Sequence, residues 1–186
     1  KYDIKGTRFQ NTFFVTNLLY GSLIDILAEC GVIIDTSKAT QINNMFGYSG
    51  VSDVPHIDFS GLTTYGVGDM FNQCTRLKKI EKLTLKEGVS FGANAFNACR
   101  ELEEIEFAGV LSTNGLNLQW STKLNKASWT SLINTLSGTT SGLTVTGSLA
   151  SVNKAFETSE GANNGSTSEE GESLLLTKPN WTVTLI

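Results

Sequence analysis

The chain has 186 residues, 40% hydrophobic and 17% charged, with 14 Lys+Arg against 18 Asp+Glu and a net charge of −4. That length favours one domain or one repeat array, and that balance excludes intrinsic disorder and a strongly basic nucleic-acid surface. No apolar run reaches the ~18–20 residues of a membrane span, and three cysteines are too few for a disulfide framework. Serine, threonine and asparagine number 18, 22 and 15, so the polar surface is built mainly of neutral hydroxyls and amides. The chain opens on Lys1 with no signal-peptide pattern, which fits a processed or truncated chain.

Residues 1–31 read as an N-terminal cap. Ser22-Leu23-Ile24-Asp25 has the form of a capping box with aspartate in its acidic place, and Leu23 to Cys30 then reads as a short helix closed by Gly31. Upstream, Phe13-Phe14-Val15 and Leu18-Leu19-Tyr20 supply apolar cover for an open core end.

Residues 32–109 carry repeats. Phe46, Phe71 and Phe96 recur at intervals of 25 residues, and Phe71-x-x-Cys74-x-x-Leu77-x-x-Ile80 returns as Phe96-x-x-Cys99-x-x-Leu102-x-x-Ile105. Leu83-Thr84-Leu85 and Ile105-Glu106-Phe107 alternate like short strands, and Ile34-Asp35-Thr36-Ser37 matches Ile57-Asp58-Phe59-Ser60 across 23 residues. In the earliest copy Ser49 stands near the cysteine position. A unit with one strand and one helical turn cannot bury its own apolar face, so copies must stack as a solenoid. Stacking makes one column of Phe46, Phe71 and Phe96 and another of Cys74 and Cys99. In-register side chains point in parallel, which favours buried free thiols over a disulfide or metal ligands.

The pattern Ala95-Phe96-x-x-Cys99-x-x-Leu102-x-x-Ile105 resembles the BspA-like leucine-rich repeats of bacterial surface proteins, and Phe71, Cys74, Leu77 and Ile80 match the same motif. The stretch from Asp35 to Thr40 that leads to Met45-Phe46 looks like a variant of it, so the resemblance covers about residues 32–107. It implies an α/β fold, a right-handed leucine-rich-repeat solenoid with short parallel strands, short helices and irregular end repeats. It also implies a cell-surface or secreted adhesion module, without catalysis or cofactor, binding a protein or glycan.

Residues 110–186 read as longer C-terminal repeats. Gly115 to Trp120 alternates like a strand, and Ala127 to Leu136 places Trp129, Leu132, Ile133 and Leu136 at helical spacing. Leu143-Thr144-Val145 alternates again, Ser148 caps a helix through Phe156, and Trp181 to Leu185 closes as a strand. The intervals Ile105–Leu143 and Leu143–Trp181 are both 38 residues, which suggests two longer turns of one coil. Within the second interval, residues 157–173 hold five acids and no base and read as an inserted mobile loop.

Catalytic patterns are sparse. His56 is the only histidine, so His-pair zinc motifs are excluded, and it reads as a surface or edge residue after Pro55. Ser151-x-x-Lys154 has the spacing of a serine acyl-enzyme motif, without its Ser-Asp-Asn and Lys-Thr-Gly companions. No phosphate loop, dinucleotide fingerprint or calcium loop is present. Binding is the better-supported class: outward positions Asp58, Thr84, Glu106, Thr144 and Thr182 are expected to line one continuous concave face, with Tyr48 or Tyr65 at its rim. Trp120, Trp129 and Trp181 are expected to pack against the core or end cap rather than to stack on sugars. The expected partner is a protein or glycan, with no nucleic acid and no membrane span in this chain, and the chain is expected as a monomer or as part of a longer one. Two alternatives remain: a structural or receptor-binding component of a phage particle, and an enzyme of unrecognised type centred on His56 or Ser151.

Overall fold

The computed structural model describes residues 2–13, 21–62, 67–156 and 178–186. Among these the fold is mixed α/β: every paired strand is parallel, three short helices stand beside the strands, and no barrel closes. The N-terminal part runs β1 (Tyr2–Lys5), β2 (Gly21–Ser22), α1 (Leu23–Glu29) and β3 (Val32–Asp35). The middle holds β4 (Val51–Val54), β5 (Ile57–Asp58), β6 (Lys79–Leu85) and β7 (Glu104–Gly109). The C-terminal part holds β8 (Asn117–Leu118), α2 (Lys126–Thr135), β9 (Leu143–Gly147), α3 (Leu149–Phe156) and β10 (Trp181–Leu185).

Three sheets result: β1 with β3, a central sheet of β2, β4, β5, β6 and β7, and β8–β9–β10. In the central sheet β4 and β5 lie end to end along one edge of β6, and β7 runs along the other. In β5, in β7 and in the Leu83–Leu85 end of β6 the sides alternate, burying Ile57, Leu83, Ile105 and Phe107 while Asp58, Thr84 and Glu106 look outward.

The 25-residue register predicted from the phenylalanines is the register of the core. Phe46 and Phe71 stack nearly parallel with ring centroids 5.4 Å apart, and Phe71 and Phe96 follow at 5.3 Å. Phe13 extends the column by stacking on Phe46 at 5.2 Å. The backbone around this column is laddered as well. Phe46 N donates to Met70 O and Tyr48 N to Asn72 O, and one unit later Phe71 N donates to Ala95 O and Gln73 N to Asn97 O. The same left-handed residue recurs two places after each phenylalanine: Tyr48, Gln73 and Ala98 have φ of 59°, 60° and 61°.

The cysteines fill the buried column assigned to them. The Cys74 thiol donates to Phe46 O at 2.9 Å and the Cys99 thiol to Phe71 O at 3.1 Å, so each ties its unit to the one before. Burial pushes the Cys74 pKa up to about 11 and raises that of Cys99 well above the ordinary thiol value. Both are therefore neutral donors rather than nucleophiles at physiological pH.

Two expectations about the C-terminal half are corrected. Only Asn117–Leu118 of the stretch from Gly115 to Trp120 is strand, and it begins a further copy of the turn. Ser121 N bonds Leu118 O and Leu124 N bonds Ser121 O, as Cys99 N bonds Phe96 O and Leu102 N bonds Cys99 O. Leu118 thus replaces phenylalanine and Ser121 replaces cysteine, after 22 residues instead of 25. The second correction concerns the first 38-residue interval: β7 does not neighbour β9, because α2 takes the place of the next strand. Ser128 Oγ accepts from Ile105 N at 2.9 Å and Ser131 Oγ from Phe107 N at 3.1 Å, so helix hydroxyls satisfy a sheet edge. The second interval holds, with Trp181 in register with Leu143.

The N-cap bond is formed, Ser22 Oγ accepting from Asp25 N at 2.9 Å, and Gly31 follows the helix with φ of 64°. The loop expected over 157–173, Tyr65, and the apolar residues from Phe14 to Tyr20 lie outside the described residues.

Ser121 Oγ is the one buried side-chain polar atom without a partner among the described residues. A thiol is longer and far less costly to bury than a hydroxyl. Ser121→Cys is therefore expected to stabilise the chain by about 1 kcal/mol, raising the thermal midpoint by about 3 °C. Thermal unfolding followed by circular dichroism checks this, and an unchanged or lowered midpoint would contradict it.

Candidate functional site

The five outward residues expected to form one face do not form one row. Asp58 and Thr84 are register partners between β5 and β6, but the partner of Thr84 on β7 is Ala108. The cause is a count of residues. Between paired positions, β6 spends two residues, Glu81 and Lys82, where β7 spends only Glu106, and Pro55-His56 take the same place before β5. Sequence similarity aligned Leu83-Thr84-Leu85 with Ile105-Glu106-Phe107, whereas hydrogen bonding pairs Leu83 with Phe107. Glu106 consequently faces the extra pair and forms an ion pair with Lys82 at 2.8 Å. Thr144 and Thr182 pair with each other in the separate C-terminal sheet. There Thr144 N donates to Asn114 Oδ1 at 2.6 Å, beside a neutral recess of about 270 Å3 lined by Asn114, Asn117, Thr144 and Thr146.

The extra residues gather the chemistry of the central face. His56 Nε2 lies 2.8 Å from Thr84 Oγ1, and His56 N donates to Glu81 Oε2 at 3.2 Å. Nearer the start of the strands, Asp53, Lys79 and Glu104 stand in register as acid, base and acid, with Lys79 and Glu104 paired at 2.8 Å. The Asp53 carboxylate is already engaged, accepting from Ser22 Oγ and Ile24 N at the start of α1. Asp58 is engaged too: its Oδ1 accepts from Ser60 N at 2.8 Å, just as Asp35 accepts from Ser37 N at 3.0 Å. The matched segments Ile34 to Ser37 and Ile57 to Ser60 therefore encode the same Asx turn, and Thr36 Oγ1 links them by bonding Asp58 N and O.

Beside this face lies an open groove of about 530 Å3 between α1, β3 and the Pro55-His56 segment. Ile24, Leu27, Val32 and Ile33 give it an apolar wall, and Asp35, His56 and Glu81 bring its ionisable groups. Hydrogen bonding from Ser37, side chain and backbone, holds the Asp35 carboxyl below the usual carboxylate range, with Lys5 and Lys38 adding to the effect.

The hydroxyl–imidazole contact of His56 and Thr84 is the first half of a nucleophile–base pair. A base also needs an orienting group on its other ring nitrogen, and no described residue bonds His56 Nδ1. Glu81 is spent on the backbone N–H instead. Ser151 and Lys154 are turned apart: Ser151 is buried, between Trp129 Nε1 and Ser148 O, while Lys154 is exposed. Among the described residues no three His, Cys, Asp or Glu side chains gather closely enough to hold a metal ion.

Two of the three tryptophans pack as expected. Trp129 and Trp181 are buried, and their Nε1 atoms donate to Ser151 Oγ at 3.3 Å and Ser137 O at 2.8 Å. Trp120 does not: it is 38% exposed, with the Arg100 guanidinium 4.9 Å from its ring centre. It occupies the outward turn position of Tyr48, Gln73 and Ala98, which is why the core does not receive it. What the sequence reading missed is Glu81, Lys82 and the groove. For the two residues the signal was available in the unequal spacing between Ile80–Leu83 and Ile105–Phe107.

No family model, curated protein or solved structure matches the chain.

The Asp35 carboxyl titrates lower in the folded chain than in the unfolded one. It thus contributes stability that is complete above the ordinary carboxylate value and is lost as pH falls through its lower folded value. Asp35→Asn should remove that acid-side dependence. Urea midpoints measured from neutral pH to pH 2 are expected to converge for the two proteins at the acid end; parallel curves would contradict the assignment.

Proposed function

We propose that the stacked units form a right-handed leucine-rich-repeat solenoid, and that the chain is a non-catalytic binding module of a bacterial surface or secreted protein. The observation that carries this reading is the 25-residue stacking register, seen in the Phe46–Phe71–Phe96 column and the Cys74 and Cys99 thiol bonds. Repetition of that kind gives a rigid core on one side of the strands and an outward strand face on the other. On the outward side stand His56, Glu81, Lys82, Thr84 and Glu106, polar and at least partly exposed. The resemblance to BspA-like repeats, in residues 32–107, supplies the surface setting and the adhesive role. The ligand is a protein or a glycan, bound by complementarity to the central strand face.

Thr84 and Glu106 are the residues to change, because Asp58 also holds its Asx turn. The chain is screened against arrays of glycans and extracellular-matrix proteins, and again as the Thr84→Lys, Glu106→Lys double variant with its circular dichroism unchanged. A ligand whose affinity falls at least tenfold in the variant supports the reading. A ligand held equally well by both proteins, or turnover of any array component, contradicts it.

A further inference from the structure

Strand β3 pairs with β1 along one edge, and among the described residues its other edge meets no strand. Just past the end of β3, Thr36 reaches across by bonding Asp58, and Ser37 O accepts from Ser60 Oγ at 3.2 Å. The groove of about 530 Å3 is the gap that this leaves between β3 and the Pro55-His56 segment. Three features of it point to one kind of occupant. A free parallel edge offers N–H and C=O groups at the spacing of an extended chain, so a peptide can add there as a strand. The wall beside that edge is aliphatic rather than aromatic, with Ile33 45% exposed, so it suits alternate aliphatic side chains better than sugar rings. The ionisable groups lining the groove are Asp35, His56 and Glu81, with no lysine or arginine. The bases on the neighbouring face are occupied, Lys79 by Glu104 and Lys82 by Glu106, while Lys5 and Lys38 stand by Asp35 outside the lining. An acidic rim beside an apolar wall selects cationic partners by charge complementarity.

We propose that this groove docks an extended segment of a partner protein in which aliphatic residues alternate with lysine or arginine, the segment lying along β3 with its cations toward Glu81 and Asp35. The inference rests on the reading of the chain as a binding module and specifies a protein ligand for it.

The test uses the whole chain and two acetylated, amidated nonapeptides, one alternating valine and lysine, the other valine and glutamate, titrated by calorimetry at low salt. The valine–lysine peptide is expected to bind at least tenfold tighter than its glutamate counterpart. Glu81→Gln should weaken it at least threefold and Ile33→Asn at least fivefold. Glu87→Gln, at an exposed turn away from the groove, should leave it within twofold. Equal affinity for the two peptides, no binding of either, or equal losses from Glu81→Gln and Glu87→Gln would overturn the proposal. So would an oligosaccharide that occupies the groove and loses affinity in Ile33→Asn. A chain that binds neither peptide but captures an array ligand in a Thr84-dependent way overturns this inference and leaves the binding-module reading standing. Groove-dependent peptide binding with no array ligand supports the inference while that strand-face reading fails.

Discussion

A unit of some 25 residues with one short strand has an apolar side that it cannot cover by itself, and in residues 46–99 the ring and thiol columns cover it. The rings of Phe13, Phe46, Phe71 and Phe96 meet at centroid spacings of 5.2–5.4 Å, slightly more than the ~4.8 Å between paired strands. That near-match lets one register serve both the ring column and the backbone ladder. With the register set, the thiols three residues after Phe71 and Phe96 fall beside the carbonyl of the preceding phenylalanine, and left-handed Gln73 and Ala98 lie between each ring and its thiol. The glycine at 109 is a local consequence of the same closeness: its φ is 82°, and a Cβ there would run into Leu85 O.

A stack has ends, and its sheet has edges, and these are handled by side chains rather than by more strand. Helix α2 lies where another strand would pair with β7, and Ser128 and Ser131 accept the two amides that would otherwise be orphaned. At the other edge Thr36 does the same for Asp58. The serine- and threonine-rich composition is therefore partly structural. Hydroxyls close the hydrogen bonds of irregular positions while leaving little net charge. The exposed ion pairs, Lys79–Glu104, Lys82–Glu106 and Lys123–Glu101, contribute less, because pairs of this kind are typically worth under about 1 kcal/mol.

Much of the fold was legible wherever one residue type recurs at one interval. Phe46, Phe71 and Phe96 announce the core column, Cys74 and Cys99 the thiol column, and Ser22 to Gly31 the first helix. Legibility failed where the interval or the residue changed. Leu118 and Ser121 keep the shape of the turn but not its letters, so the sequence of the fourth copy resembles a strand ending in a buried Trp120. Candidate-site residues were legible as outward positions but not as neighbours. Alternation tells which side a residue faces, whereas the row it joins depends on every inserted residue, and Glu81-Lys82 against Glu106 shifts that row. The groove was invisible for a related reason: it is the absence, among the described residues, of pairing along one edge of β3, and no periodicity encodes a gap.

The central claim is that successive units are interchangeable layers joined by one register. Removing residues 72–96 would join Phe71 directly to Asn97, which keeps the motif intact and takes out one whole layer. Removing only residues 72–83 would break the register in mid-layer. Thermal unfolding of the two shortened chains tests the claim most directly. The account predicts a cooperative transition and native-like circular dichroism for the 25-residue deletion, and loss of both for the shorter one. An unfolded 25-residue deletion, or equal tolerance of the two, would contradict it.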